Sequence, residues 1–400
     1  MLTVLYIHMT GAFGGSSRSL SEAIGAFPKG AVKAFFVAPS GTATRFFSSL
    51  GEVVEARGLS QFDNTRYGRY CGLRWLVLAR EIALLPATFV ALRRARRLWP
   101  KVDIIHVNEF TGLLPWLLAR WWFKVPVVVH VRSVASNDKS LRTRFVNHLL
   151  REKAEAVVAI DQTVRRSLPE DLPTEVIHNA FTPSGAAADD GSLTRLKLRE
   201  TSLKIGFVGN LLKVKGIHDL VEAARILNER GVDVEYIVVG DDAAPSRGLR
   251  ARALGLLGLR QDMKAEVEVA IDAYQLRNRF HMVGFSHNIA KAYARMDVLC
   301  FPSHYDAPGR PIFEAAFAGV PSIVAIQNPT SDTLINGETG LAVPPRNPIA
   351  LASAIEKLAR EPELAFRMGV AAKAMAQRNF DPQMNSAELL ALYRRVFAKQ

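Results

Sequence analysis

Cysteine is scarce in this chain. Its two cysteines, Cys71 and Cys300, lie far apart among 400 residues and fit no metal-binding or C-x-x-C spacing. The sequence therefore implies no disulfide framework, which is typical of a protein from the reducing cytoplasm. The amino terminus also lacks the basic region and small-residue cleavage site of a signal peptide, so we interpret its apolar run as a first strand.

Long apolar runs are lacking as well. The densest stretch is 75–99, WLVLAREIALLPATFVALRRARRLW, but Arg80, Glu81 and Pro86 interrupt it. A membrane-spanning helix needs about 20 apolar residues, so we predict no span here. The stretch ends in four arginines, and LLPWLLARWWF at 113–123 adds three tryptophans. This composition suits a helix lying on an anionic bilayer, but a buried helix with a solvated basic end fits equally well.

Acidic residues are outnumbered, 38 against 51 Lys and Arg, for a net charge of +13. The excess lies mostly in residues 1–180, which carry 24 basic and 14 acidic residues, against 27 and 24 in 181–400. A basic first half predicts an acidic partner: anionic lipid, a phosphate-bearing substrate or nucleic acid. The basic residues form no recognisable nucleic-acid module with aromatics, so we expect no nucleic-acid partner.

The chain does show short apolar, β-branched runs that alternate with helix-length segments. This alternation predicts an α/β protein with parallel sheets, and nearly continuous apolar runs indicate strands covered on both faces. A chain of 400 residues is expected to form two domains. We predict strands at 2–9, 31–39, 102–108, 125–132, 156–160 and 175–178, and again at 203–209, 234–240, 280–285, 298–303, 321–326 and 340–344.

The segment FTPSGAAADDGS at 181–192 is small, polar and turn-forming, and marks a linker between two such sheets. We therefore predict a first domain at 1–182, a linker at 183–202, a second domain at 203–382 and a terminal helix at 383–400. An insertion at 241–279 has no strand character and is predicted to be helical. Because ligands bind at the carboxyl ends of parallel strands, the expected meeting place of two substrates is the cleft between the sheets.

The most informative segment is VLCFPSHYDAPGRPIFEAAFAGVPSIVA at 298–325. A strand leads through a loop into a helix framed by Pro311 at its first position and Gly319 after its end. The start of such a helix binds phosphate through free backbone N–H groups and the helix dipole, and Arg310 adds a permanent charge.

Two acids accompany that helix start. Glu314, placed just inside the first turn, is positioned to accept two ribose hydroxyls, and Asp306 on the loop is positioned to hold sugar hydroxyls. The alternative is a glutamate that merely complements the helix dipole.

This segment resembles the signature of the retaining glycosyltransferases of family 4, in which two glutamates flank seven residues. Asp306 takes the place of the first glutamate, and the spacing, the glycine and the AGVP that follows all match. The resemblance implies a GT-B fold, with two Rossmann-like domains facing across a cleft and a terminal helix that returns to the first domain. It also implies that Glu314 holds the nucleotide ribose, that the main-chain amides of 309–312 contact the sugar and diphosphate, and that Asp306 contacts the transferred sugar.

A second segment, KIGFVGNLLKVKGIHDLVEAARIL at 204–227, resembles the family's diphosphate-binding loop. Lys215 matches the family lysine, whereas Asn210 stands where an arginine is usual, so Arg310 or Lys213 would supply the missing charge. A solvated loop lysine is the alternative. The donor-binding residues implied by the resemblance are Gly14, Gly15, Gly209, Asn210, Lys215, Gly284, Phe285, Ser303, Gly309, Arg310, Pro311, Ile312 and Glu314.

The loop TGAFGGSSRSL after the first strand matches the family's loop between donor phosphate and acceptor, with Ser17 in place of a glutamate. It lacks the full G-x-G-x-x-G of a dinucleotide site. On the strand VPVVVHVRSV, alternation puts His130 and Arg132 on one face. Arg132 stands where the family has a histidine and is expected to reach the sugar, the acceptor or an acceptor phosphate. His130 is either a satisfied core histidine or, with Asn108, an acceptor-side residue.

The predicted reaction is therefore retaining sugar transfer from a nucleoside diphosphate to an acceptor hydroxyl, on a lipid-linked or surface-polysaccharide precursor. The expected catalytic residues are Asp306, Glu314, Lys215 and Arg132. No DxD-like motif occupies a donor loop, so we expect neither metal nor cofactor, and a cytoplasmic enzyme that contacts an anionic membrane peripherally. The alternatives are a sugar-nucleotide epimerase on the same fold and a non-catalytic binder of sugar nucleotides or nucleic acid.

Overall fold

The computed structural model describes residues 1–68, 75–182, 193–241, 263–286 and 288–399. The chain forms two units, one comprising Met1–Thr182 and Asn379–Gln400, the other Pro183–Arg378. Cys71, residues 183–192 of the predicted linker and residues 242–262 of the predicted insertion lie outside the described residues. The linker's bounds and the conformation of those stretches therefore stay predictions.

Unit 1 is built on a seven-stranded sheet in which every pair of neighbours is parallel. The strand order is β3-β2-β1-β4-β5-β6-β7, so the order reverses between β1 and β4. The strands are β1 (Leu2–Ile7), β2 (Val32–Pro39), β3 (Gly51–Ala56), β4 (Ile104–Val107), β5 (Val127–Val131), β6 (Ala156–Ala159) and β7 (Thr174–Val176).

Helices cover both faces of this sheet. They are α1 (Gly15–Gly25), α2 (Thr42–Phe47), α3 (Trp75–Ala83), α4 (Leu85–Leu98), α5 (Leu113–Phe123), α6 (Leu141–Lys153) and α7 (Gln162–Arg166). Alternate residues of β1 enter different cores, because successive side chains of a strand point to opposite faces. Leu5 and Ile7 pack with α4 and α5, whereas Val4 and Tyr6 pack with α1 and the end of the chain.

Unit 2 is a six-stranded parallel sheet of order β10-β9-β8-β11-β12-β13, with the reversal between β8 and β11. Its strands are β8 (Leu203–Val208), β9 (Val234–Val239), β10 (Phe280–Gly284), β11 (Val298–Phe301), β12 (Ser322–Ala325) and β13 (Gly340–Val343). Its described helices are α8 (Ile217–Glu229), α9 (Met263–Ala273), α10 (Ile289–Tyr293), α11 (Arg310–Phe317), α12 (Pro348–Arg360) and α13 (Pro362–Asn379). The predicted α/β fold with two Rossmann-like sheets is confirmed, and all twelve predicted strands are present.

The last helix, α14 (Pro382–Phe397), returns to unit 1 as predicted. Its apolar face joins the core cluster that contains Tyr6 and Phe36. Ser386 Oγ donates to the carbonyl of Ala23 at 2.9 Å, and the hydroxyl of Tyr393 lies 2.7 Å from His106 Nδ1. The end of the chain is therefore part of the core of unit 1.

Two features differ from the sequence-based expectation. Strand β3 was not predicted, because as an edge strand it exposes Glu52 and Glu55 and so lacks a continuous apolar run. The stretch 75–99 forms two helices, α3 and α4, with Pro86 in the first turn of the second. Within the part of the chain that the structure describes, no helix is both long and apolar enough to cross a membrane.

Candidate functional site

Glu314 of unit 2 lies on α11 and is buried. The hydroxyl of Tyr293 donates to its Oε2 at 2.9 Å, and Arg310 Nε donates to its Oε1 at 2.7 Å. The expectation that Glu314 lies in the first helical turn was wrong. The helix begins at Arg310, one residue before Pro311, so Glu314 falls one turn later. Residues four apart share a helix face, which is why Arg310 and Glu314 pair.

Gly309 precedes α11 and explains why the loop can pass so close to β11. A Cβ atom on Gly309 would lie 2.4 Å from Cζ of the Phe301 ring, which any larger residue would have to displace. After the helix, Gly319 has a φ of +78°, as predicted for a glycine just past a helix end. Gly309 therefore allows the loop to pack against β11, and Gly319 lets the chain turn away after α11.

Lys215 lies beside the same Phe301 ring that packs against Gly309. It ends a short 3₁₀ helix, Lys213–Lys215, and its Nζ lies 5.5 Å from the ring centroids of both Phe301 and Tyr305. Lys215 is half-buried, and this burial lowers the pKa of its ammonium group, whereas Lys213 is exposed. Of the two candidate lysines, the one that contacts the loop before α11 is thus Lys215.

Asp306 adopts a left-handed backbone conformation, with a φ of +48°. Its Oδ1 accepts a hydrogen bond from the backbone N–H of Gln327 at 2.7 Å. Aspartate is several-fold enriched in this conformation. This enrichment gives a physical reason for aspartate here, and the hydrogen bond gives the residue a role in holding the loop. Contact of Asp306 with a sugar stays a prediction.

The remaining predicted donor-binding residues of unit 2 follow the carboxyl ends of strands. Gly209 directly follows β8, and Gly284 is the last residue of β10; both have a positive φ. Their neighbours Asn210 and Phe285 are exposed. Ser303, two residues after β11, is buried. Strands β8 and β11 are neighbours, so the structure brings the Gly209 and Ser303 segments together at the switch point of the sheet.

Two features of this region carry no signal in the sequence. Tyr293 lies 21 positions before Glu314 at the end of a five-residue helix, and no motif marks it. His304 Nε2 lies 2.9 Å from Asp219 Oδ2, and its backbone N–H donates to the carbonyl of Val214. That pair ties the loop after β11 to the start of α8 and to the 3₁₀ helix carrying Lys215.

In unit 1, Arg132 directly follows β5 and is half-buried. Its Nε donates to Asn108 Oδ1 and its Nη1 to Asn179 Oδ1, both at 2.6 Å. The two amide oxygens hold the guanidinium in place. The side chain of Asn179 therefore helps to hold Arg132.

The site extends from Arg132 toward the first helix. Asn108 is buried, and its Nδ2 donates to His8 Nδ1 at 2.9 Å and to the carbonyl of Ser16 at 3.2 Å. His8, one residue before the end of the first predicted strand, was not among the predicted site residues. Arg132, Asn108 and Ser16 thus link the carboxyl ends of β5 and β4 to the start of α1.

His130 is buried as expected, but the expectation of a satisfied core histidine was wrong in one respect. Its Nδ1 lies 3.4 Å from Arg132 Nη2, whereas its Nε2 has no hydrogen-bond partner among the described residues. The ring of His106, whose Nε2 also lacks a described partner, lies 5.4 Å away. Burial lowers the pKa of both rings, and nearby Arg132 adds to the effect.

Acid is expected to destabilise unit 1 through these histidines. Burial lowers the pKa of His8 and His106 to about 3, and that of His130 well below its ordinary value. Unfolding therefore takes up protons, so the stabilisation is complete above pH about 6.5 and declines as the pH falls toward 3. Each such histidine contributes about 1.4 kcal/mol per pH unit in that window.

One buried acid acts in the opposite direction. Burial raises the pKa of Glu109 to about 7, so its folded form holds a proton that the unfolded form releases. The proton uptake of three histidines on unfolding outweighs the proton that Glu109 releases. The melting temperature of unit 1 should therefore fall as the pH is lowered from 7 to 5.5. His106→Gln should weaken this dependence, whereas the exposed His148→Gln should not; equal slopes in both variants would contradict the assignment.

The Gly14–Gly15 loop has a different character from the other glycine positions. Ser17 Oγ accepts from the N–H of Gly14 at 2.8 Å and donates to its carbonyl, which closes the first turn of α1. A Cβ atom at Gly14 or Gly15 would meet nothing within 4 Å. The fold of unit 1 therefore leaves space here for a ligand to approach the main chain.

Gly15→Ala should separate folding from function. The added methyl group meets no atom, and alanine in a helix is preferred over glycine by about 0.5–1 kcal/mol, so stability should stay equal or rise. Turnover should fall at least about tenfold if a ligand contacts this main chain, a misplacement effect of ordinary size. Gly25→Ala, in equally open space at the other end of α1, is the matched control for activity and melting temperature. Equal activity of the two variants would remove the loop from the site.

Among the residues that the structure describes, no three His, Cys, Asp or Glu side chains are grouped so that they could hold a metal ion. Metal independence and the absence of a cofactor stay predictions.

Comparison with known proteins adds to this geometry. The profile of the family described as "Glycosyl transferases group 1" matches residues 193–375, and that of "Glycosyl transferase 4-like domain" matches 14–180, so together they match most of the chain. The alpha-D-kanosaminyltransferase of Streptomyces kanamyceticus is 26% identical over 70% of this chain and 73% of its own length. The capsular polysaccharide biosynthesis glycosyltransferase CapM of Staphylococcus aureus is 28% identical, over 49% of this chain and 47% of its own.

A solved structure shows the same fold. The Anabaena protein HepE, in complex with UDP and glucose, superimposes with a TM-score of 0.73 at 20% identity, covering 98% of this chain and 99% of that one.

Proposed function

Since this chain belongs to the group 1 glycosyl transferases, we propose that it transfers a sugar from a nucleotide sugar with retention of anomeric configuration. The acceptor would be a hydroxyl of a lipid-linked or surface-polysaccharide precursor. The observation that carries the proposal is the fixed carboxylate of Glu314, held at both oxygens beside the start of α11. A carboxylate offers about four acceptor sites, which suits recognition of the two hydroxyls of a ribose.

The leaving group would be a nucleoside diphosphate, and charge develops on it as the glycosidic bond breaks. Gly309, which precedes α11, and the ammonium group of Lys215 both lie beside the ring of Phe301. Such preorganised donors stabilise the departing anion electrostatically. Arg310, paired with Glu314, adds positive charge to the same helix end. These groups would act without a metal ion or a cofactor.

On unit 1, we assign the acceptor to the Arg132 region. Arg132 is held by two neutral amides, and its charge suits a sugar hydroxyl or an acceptor phosphate. The name of CapM supports an acceptor from surface-polysaccharide assembly. The scarcity of cysteine supports a cytoplasmic location.

The proposal is tested by incubating the purified protein with UDP-, GDP- and ADP-sugars, with and without candidate acceptors. Nuclear magnetic resonance of the product should show the anomeric configuration of the donor, and added chelator should leave the rate unchanged. An inverted product would overturn retention, and loss of activity with chelator would overturn metal independence. A new sugar nucleotide formed without acceptor would instead establish the epimerase alternative.

A further inference from the structure

Helices α4 and α5 of unit 1 lie side by side. Arg96 Nε donates to the carbonyl of Trp122 at 3.2 Å, and the rings of Phe89 and Trp122 meet edge to face with centroids 4.7 Å apart. Residues such as Leu92 and Trp116 bury the inner faces against the sheet. The outer faces of both helices remain open to solvent.

These outer faces expose an unusual amount of apolar surface. Phe89 is 43% exposed and Trp121 68%, and Trp122 lies between them, with centroids 6.1 Å from Trp121. We call Phe89, Trp122 and Trp121 the aromatic ridge. Exposed aliphatic side chains lie on the same two helices, Val90 and Leu98 on α4 and Leu114 on α5. Contiguous exposed apolar surface of this kind marks an interaction site.

The ridge is surrounded by positive charge. The sequences of α4 and α5 contain five arginines and no acidic residue. Val90, Arg93, Arg94 and Arg97 are all exposed on α4, and their spacing of three or four residues puts them on one face. The apolar and the basic side chains thus share the outer surface of the helix.

A groove of about 640 Å³ opens beside the ridge. Its wall includes Trp121 and four cationic side chains, those of Arg120, Lys124, Lys153 and Lys399. Its acidic lining residue, Glu155, is paired with Arg120. We call this the basic groove. It borders Val125 and Pro126, which precede β5, whereas Arg132 follows β5, so the groove lies at the opposite end of the strand from the candidate site.

We propose that the aromatic ridge and the basic groove dock unit 1 on an anionic phospholipid bilayer. The ridge enters the boundary between headgroups and acyl chains, and the lysines of the groove bind the phosphate of a headgroup. Trp and Phe beside Lys and Arg are the side chains that anchor a helix at this depth. The exposed aliphatic residues favour acyl chains over nucleic acid, because bases stack on aromatic rings and not on aliphatic side chains. A second copy of this surface would bring like charges together. The inference goes beyond the proposed reaction and does not depend on it.

The test is flotation of the full chain with phosphatidylcholine vesicles and with vesicles containing about a third phosphatidylglycerol. Wild type should float only with the anionic vesicles and should be released in 1 M salt, where the Debye length is about 3 Å. The triple variant Lys124→Gln, Lys153→Gln, Lys399→Gln should bind about a hundredfold more weakly, at about fivefold per charge. Trp121→Ser should weaken binding about tenfold, because the variant loses the free energy gained when the indole ring moves from water into the bilayer.

Matched controls lie on unit 2. Arg367→Gln, Lys373→Gln, Arg378→Gln removes three exposed charges, and Phe366→Ser removes an aromatic ring that is 73% exposed. Both should float like wild type, and every variant should keep the wild-type melting temperature. Equal flotation with neutral vesicles, equal loss in the controls, or wild-type binding by the groove variant would overturn the proposal. The proposal would also be overturned if wild type did not bind vesicles but bound single-stranded RNA or self-associated, and the groove variant lost that binding.

Discussion

Glu314→Ala is expected to lower kcat/KM for the sugar donor by about a hundredfold to ten-thousandfold. Two hydrogen bonds from ribose hydroxyls to a charged acceptor would be lost, and each is worth about 1.5–3 kcal/mol. The same change leaves the buried hydroxyl of Tyr293 and the Arg310 guanidinium without this partner, so the melting temperature should also fall. Steady-state kinetics alone would therefore not separate binding from folding.

Glu314→Gln makes that separation. Glutamine keeps the volume and one oxygen acceptor, so the protein should stay folded, while kcat/KM falls about tenfold to a hundredfold because one charged acceptor is lost. The matched control is Glu363→Gln, an exposed carboxylate in the first turn of α13, which should leave both activity and melting temperature unchanged. Wild-type kcat/KM in a folded Glu314→Gln variant would remove Glu314 from the donor site.

Lys215→Ala is expected to lower kcat by about a hundredfold to a thousandfold, the usual cost of removing one preorganised donor from a developing anion. Lys215 is half-buried against two aromatic rings beside the start of α11, so its charge is only weakly screened by water. Its ammonium has a lowered pKa in the free protein because it is buried, and a bound diphosphate would favour the charged form. Single-turnover measurements would assign the loss to the chemical step.

The sequence supplies an internal control for this lysine. Lys213 lies in the same three-residue helix but is exposed, so Lys213→Ala should change kcat by less than about threefold, as for other screened surface charges. Equal losses in the two variants would mean that the loop, and not the position of one ammonium group, matters.

Sequence patterns predicted most of the fold because buried parallel strands are nearly continuous apolar runs. Strand β3 escaped because an edge strand needs only one buried face, and alternation with Glu52 and Glu55 hides it. The start of α11 was misplaced by one residue for a different reason. A proline fits either of the first two helical positions, and sequence alone does not distinguish them.

The site was predicted less completely than the fold. Motif spacing marked Glu314 and Lys215, but Tyr293 reaches Glu314 through tertiary packing that leaves no short-range signal. His8 was missed in the same way, since its partner Asn108 lies 100 positions away. The surface of α4 and α5 is a further case. The sequence of these two helices fits both a buried and a bilayer-facing helix, and the structure shows one face buried and the other exposed.

Unit 2 is expected to bind a nucleoside diphosphate through Glu314. Isothermal titration of wild type and Glu314→Gln with UDP, GDP and ADP, at a pH where both are folded, tests it most directly. Wild type should bind at least one of these nucleotides, and Glu314→Gln should bind the same one at least about tenfold more weakly. Failure of all three to bind wild type, or equal affinity in the two proteins, would contradict it.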